Sequence, residues 1–148
     1  MALKMNAEEL MTFLEEVFPR VKGEFTLMEL GPDSLRLRLN VNESHLRPGG
    51  TVSGPAMFAL ADCAFYVLLL ARVGRQALAV TTGCSIDFMR KPRPAPLFAQ
   101  ARMLKLGQVL AVGDVLLFSG TDSRPVARAS LTYSIPPERK TGIKHHGD

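Results

Sequence analysis

The pattern of apolar and polar positions divides the 148-residue chain into two helices and six strands. Leu10, Phe13, Leu14, Val17 and Phe18 recur at helical spacing, which predicts an amphipathic helix over about 6–18 lying on a surface. Asn6 precedes it as N-cap with Glu9 three residues on, the capping-box pairing, and Pro19 ends it. Two strand patterns follow. "FTLMEL" and "SLRLRLN" flank a Gly31-Pro32-Asp33 turn, and Leu35, Leu37 and Leu39 alternate with Arg36 and Arg38, giving one buried and one wet face.

The stretch 53–74, "SGPAMFALADCAFYVLLLARVG", is almost wholly apolar. It predicts a long helix starting near Ser53 or Gly54, with Pro55 in the first turn, where a missing N–H costs nothing. Gly74 is placed to cap its end. A long strand pattern, "ALAVTTGCSIDFMR", then runs into the Pro92, Pro94 and Pro96 cluster. Three more strands are predicted, over 97–106, 109–118 and 126–135, with turns at Gly107 and at Thr121-Asp122-Ser123. The order is helix, two strands, long apolar helix, then four strands in a meander. Segregated strands and helices predict an α+β fold, an antiparallel sheet packed by helix on one face, in a single domain over 1–148. The polar tail 137–148 is expected to be disordered. A helix apolar all round must be buried on more than one side, and a single sheet covers only one. A second copy of the chain is expected to cover the other.

Composition narrows the function. A net charge of +4 and 7% aromatic residues lack the dense basic stripe with stacking residues that nucleic acid requires, so no nucleic-acid partner is expected. Cys63 and Cys84 form no Cys-x-x-Cys pair, His145 and His146 fall in the tail, and His45 stands alone. No metal and no cofactor is expected. The opening "MALKMNAEELMTFLEEVF" carries acids where a signal peptide would be apolar, and 55–71 has Asp62 near its centre, where a charge is costly in lipid. The expected location is the cytoplasm, with no membrane partner.

Asp62 is the residue that asks for a role. Two readings of it stand: a structural carboxylate bonded to a loop or partner, or a general base or nucleophile held in an apolar cleft. The start of the same helix offers a matching element. Free backbone N–H groups at Gly54 suit a developing oxyanion, and glycine lets a substrate carbonyl approach closely. Arg90, Lys91 and Arg93 cluster at a strand end, either as a solvated basic loop or as a seat for phosphates. Phe58, with Met57 and Phe65, is either plain core or the lining of a pocket.

"HLRPGGTVSGPAMFALADCAFYVLL", "AVTTGCSIDFMRKPRP" and "VLAVGDVLLFSGTDSRPVARASLTYSIP" together resemble the hot-dog-fold acyl-CoA thioesterases of the phenylacetate-pathway (PaaI-like) group. The resemblance covers about 24–136. It implies a long antiparallel sheet wrapped round the central helix, hydrolysis of an acyl-CoA thioester, and a homodimer or a tetramer built from dimers. In that group the loop before the helix usually reads Asn-Pro-x-Gly-x-x-His-Gly-Gly. Gly50 and Gly54 match it, whereas Arg47, Ser53 and Pro55 stand where the group has Asn, His and its second Gly. By resemblance Asp62 is the catalytic acid, the Gly54 N–H meets the oxyanion, and Thr81 helps place the attacking water. Arg47, Gly50, Ser53, Phe58, Arg90 and Lys91 are the candidate substrate contacts. The alternative is a non-catalytic module that binds acyl-CoA or an acyl ligand without turning it over. Gly54 and Asp62 lie eight residues apart, about 12 Å along a helix axis. One thioester carbon cannot reach both. Two such helices packed antiparallel about a two-fold axis near Phe58 would set each Asp62 against the other chain's Gly54.

Overall fold

A computed structural model describes residues 3–137; beyond Pro137 the predicted tail, with His145 and His146, lies outside the described residues. The elements are α1 (Ala7–Val17), β1 (Phe25–Leu30), β2 (Ser34–Leu39), α2 (Gly54–Val73), β3 (Val80–Phe88), β4 (Leu97–Leu106), β5 (Leu110–Ser119) and β6 (Pro125–Ser134). Short 3-10 turns occupy Pro19–Val21 and Glu43–His45. The caps read from the sequence at Asn6–Glu9 and Gly74 are present, and Ser53 adds a third. Asn6 and Glu9 exchange hydrogen bonds at the start of α1, and Ser53 Oγ accepts the Ala56 N–H at the start of α2. Gly74 ends α2 at φ 91°, a left-handed value that favours glycine.

The six strands form one antiparallel sheet in the order β1-β2-β4-β5-β6-β3. The predicted four-strand meander is therefore corrected. Only β4, β5 and β6 follow one another, while β3 crosses to the far edge and pairs with β6. The reason is geometric: α2 lies across the sheet between β2 and β3, and the chain emerges from it on the other side.

Size complementarity seats the helix. The inner face of the sheet carries small residues, Ala99, Ala101, Ala111, Gly113, Ala127 and Ala129, each buried. The facing helix carries the bulk: Leu60, Phe65, Leu68, Leu69 and Leu70 are fully buried. At Gly113 a Cβ would stand 2.1 Å from Phe65 Cε1 and 2.4 Å from the Arg102 carbonyl oxygen, so only glycine admits the ring. Arg72 closes the far end of α2 by donating to Pro32 O (2.8 Å) and Asp33 Oδ1 (2.7 Å) at the β1–β2 turn. The 20-residue helix is long and apolar enough to cross a membrane, but its burial inside the protein is that of a core helix.

One side of the molecule remains apolar and open. Phe58 on the first half of α2 is 38% exposed, while Val80, Phe88 and Met89 on and after β3 are 55%, 51% and 45% exposed. β3 is also an edge strand with one free side.

Candidate active site

Asp62 stands about two turns into α2, half-buried, where the last two strands of the sheet close over the helix. None of the ion pairs among the described residues includes it. Two hydroxyls serve it instead. Thr81 Oγ1 on β3 donates to Asp62 Oδ1 at 2.6 Å, and the Tyr133 hydroxyl on β6 donates to the same oxygen at 2.8 Å. Hydrogen bonds to a charged acceptor are the short, strong kind. Because both converge on Oδ1, Oδ2 remains the oxygen available to a substrate or water.

Tyr133 was not singled out in the sequence. Its burial, and then the negative charge of Asp62, hold its phenol well above the ordinary range, so it remains protonated and a donor. The Phe65 ring supports it from the core side, 5.6 Å between centroids. A signal was nevertheless there. Ala127, Ala129, Leu131 and Tyr133 share one face of β6 by period-two alternation, and a buried tyrosine hydroxyl needs a polar partner. Asp62 is the carboxylate that sits in the apolar segment. We expect Tyr133→Phe to leave the fold intact and to lower kcat about tenfold with little change in KM, reflecting loss of one donor to a charged acceptor. Steady-state kinetics on the purified variant checks this. An unchanged kcat would mean that the bond does not position the carboxylate.

Asp62 and Thr81 line an apolar cleft of about 340 Å³, bounded by Phe58, Ala59, Cys63 and Tyr66 of α2, by Tyr133, and by the segment ahead of β1. The Cys63 thiol is pushed up to about 12 by burial first and by Asp62 second; it stays neutral and is a poor nucleophile near pH 7.

Gly54 lines a different cleft, of about 370 Å³, with Arg47, Met57, Phe88, Arg90 and Lys91. The structure thus brings together Gly54, Arg47, Arg90 and Lys91 at one end of α2, and Asp62, Thr81 and Phe58 around the other cleft. Ser53 and Gly50 line neither cleft. Ser53 caps the helix, and the Gly50 N–H is spent on Arg47 O in a tight turn at φ 82°. Arg90 also donates to Pro125 O, which holds the strand-end loop in place. His45 is buried and structural: its Nδ1 accepts the Asn42 N–H at 3.0 Å, its Nε2 faces Glu24, and its carbonyl accepts the Ser53 N–H just before α2. Among the described residues no cluster of three or more His, Cys, Asp or Glu side chains could hold a metal.

The chain is similar to known proteins throughout this region. Residues 49–126 match the family model of the Thioesterase superfamily. A "Putative esterase" of Pseudomonas aeruginosa is 33% identical over 77% of this chain and 84% of its own. Among solved structures, a "putative thioesterase" of a Silicibacter species is 59% identical, with a TM-score of 0.87 over 93% of this chain and 96% of that one. An Asn-to-Asp mutant of the phenylacetic acid degradation protein PaaI from Thermus thermophilus is 26% identical, with a TM-score of 0.69 over 80% of this chain and 99% of that one. The long helix wrapped by an antiparallel sheet is the hot-dog fold of these proteins. This chain belongs to the thioesterase superfamily, a family of thioester and ester hydrolases.

Proposed function

We propose that the protein hydrolyses an acyl-CoA thioester to the free acid and coenzyme A, at two composite sites of a homodimer. One observation carries the reading: a carboxylate in an apolar cleft, pinned through one oxygen by two hydroxyls with the other oxygen free. The two clefts suit the two halves of such a substrate. The apolar one fits an acyl tail, and the one ringed by Arg47, Arg90 and Lys91 fits the phosphates of a nucleotide. Water adds to the carbonyl carbon while Asp62 takes its proton. The developing oxyanion meets the Gly54 N–H, the carbon–sulfur bond breaks, and the sulfur leaves with that proton. A thiolate is a good leaving group, since thiols ionise near pH 8.5, so no histidine acid is required. Direct attack by Asp62 on the carbonyl carbon would use the same oxygen.

Two features support the dimer. Gly54 and Asp62 are about 12 Å apart along α2 and line separate clefts, so no single chain presents both to one carbon. The exposed face formed by Phe58, Val80, Phe88 and Met89 joins the start of α2 to the open edge of β3, and an unprotected apolar strand edge favours pairing. A two-fold contact there sets each Asp62 against the partner's Gly54 and covers that face on both copies. Pairs of such dimers would give a tetramer.

The test is turnover followed by complementation. Purified protein is expected to hydrolyse at least one member of a panel of short, medium and aromatic acyl-CoA thioesters. Asp62→Ala and Gly54→Pro chains, each inactive, are then mixed and allowed to exchange subunits. A mixed dimer holds one intact site and should recover up to about half of the wild-type activity per dimer. A dead mixture after verified exchange would place the site within one chain. Tight binding of the panel without turnover would favour the non-catalytic acyl-CoA-binding reading.

A further inference from the structure

We propose that the segment ahead of β1, through Phe18 and Val21, is the specificity-determining wall of the acyl cleft and limits it to plain hydrocarbon acyl groups of bounded length. This rests on the thioester reading above.

Leu14 at the end of α1, Phe18 and Val21 about the following 3-10 turn, and Phe25 at the start of β1 form one side of the Asp62 cleft. All four precede residues 49–126, the span matched by the superfamily model. The Asp62 side of the cleft therefore comes mostly from that span, and the opposing side from residues ahead of it.

The chemistry of the cleft follows from how its polar groups are spent. Thr81 and Tyr133 both donate to Asp62. The Tyr66 hydroxyl donates to Ala77 O at 3.1 Å, and the Cys63 thiol is neutral. Among the described residues, Asp62 is the one charged side chain on the lining. A carboxylate on the acyl tail would lose its water, find no donor, and share the cavity with a like charge. A hydrocarbon tail loses nothing.

Length is set by Phe18. Tyr66 lies one turn beyond Asp62, about 6 Å along the helix, and the Phe18 ring meets it edge-on at 5.7 Å and 72°. The Phe18 backbone is fixed by its N–H bond to Leu14 O at 2.8 Å. Its side chain lines the cleft yet is 45% exposed, so the ring stands between the cavity and solvent. A tail that starts at a carbonyl beside Asp62 and follows α2 toward Tyr66 ends against it.

The experiment measures kcat/KM for straight-chain saturated acyl-CoA thioesters, short to long, on wild type, Phe18→Ala and Val21→Phe. In wild type the value should rise about three- to fourfold per added carbon until the tail meets the ring, then fall. Phe18→Ala should move that break to longer chains by roughly two carbons or more, the reach of the lost ring, and Val21→Phe should move it to shorter ones. A thioester with a terminal carboxylate should be slower than its hydrocarbon equivalent by about 100-fold or more. Binding of the same series is measured on Asp62→Asn protein carrying each wall variant, so the wall is read without turnover. A break that stays put in both folded variants overturns the proposal, and so does rapid hydrolysis of the carboxylated thioester. Binding that shows the shifting break in protein that never turns over any thioester would sink the hydrolysis reading and uphold the wall. Neither binding nor turnover overturns both.

Discussion

Asp62→Asn is expected to lower kcat by about 10²–10⁴-fold, the usual contribution of a positioned general base, or by more if the carboxylate is the nucleophile. The fold should survive, and the reason lies in how the residue is held. Thr81 and Tyr133 both donate to Oδ1, and the amide oxygen of asparagine can accept both bonds in the same place. The amide nitrogen then takes the position of Oδ2, facing the cleft with protons and no basicity. The substitution removes the chemistry and spares the contacts. Kinetics with the best thioester of the panel, paired with a thermal melt, separates the two effects. Near-wild-type turnover in a folded Asp62→Asn protein would return Asp62 to a structural role. Asp62→Ala is a blunter probe, because it removes the Thr81 acceptor and leaves the Tyr133 hydroxyl only the longer bond to the residue-62 carbonyl oxygen, at 3.3 Å, which costs stability as well.

Gly113→Ala is expected to be the most damaging single methyl in the sheet. The added carbon would sit 2.1 Å from Phe65 Cε1, 2.9 Å from Phe65 Cζ and 2.4 Å from the Arg102 carbonyl oxygen. The carbonyl belongs to β4, locked to β5 by the ladder, and the ring is fully buried on α2. Neither can swing away, so helix and sheet must separate locally. Overpacking of this kind costs about 1–3 kcal/mol and sometimes more, and here the loss should reach about 3 kcal/mol or beyond. Gly31→Ala is the control. Its Cβ meets Ser34 Oγ at 3.4 Å and no left-handed φ, so it should cost less than about 1 kcal/mol. Urea midpoints at unchanged slope decide the comparison. Similar midpoints for the two variants would show that α2 has room to retreat. The folded fraction of Gly113→Ala should also be less active, since a displaced Phe65 no longer supports the Tyr133 ring that packs on it.

The two helices, their caps and the strand pairs joined by short turns could be read from the chain because the physics behind them is local. Asn6 and Glu9, Gly74 and the Leu35-Leu37-Leu39 alternation each act within a few residues of themselves. The position of β3 could not be read this way. Its pattern says strand, but nothing nearby says that its neighbour is β6, some fifty residues later; that pairing follows from where α2 lets go of the chain. The site divides along the same line. Asp62 stood out as the charge in an apolar run, and the about 12 Å offset from Gly54 followed from helix geometry alone. The role of Tyr133 is not local, because it depends on a contact across 71 residues. Ser53, expected among the substrate contacts, caps α2 through its hydroxyl instead.

The far-edge placement of β3 has a consequence for how the molecule comes into being. β3 can join the sheet only after β6 exists, and β6 also brings the tyrosine that pins Asp62. A ribosome adding about 5–20 residues per second needs roughly 4–14 s to travel the 71 residues from Asp62 to Tyr133. During that interval the most apolar helix of the chain is out of the tunnel with one side of its cover still unmade. The nascent chain therefore carries an apolar helix with an incomplete cover, and the two hydroxyls that pin Asp62 are the last parts of the fold to come together. A message cut short after β5 would yield most of the core but leave β3 without its neighbour and Asp62 without the Tyr133 bond.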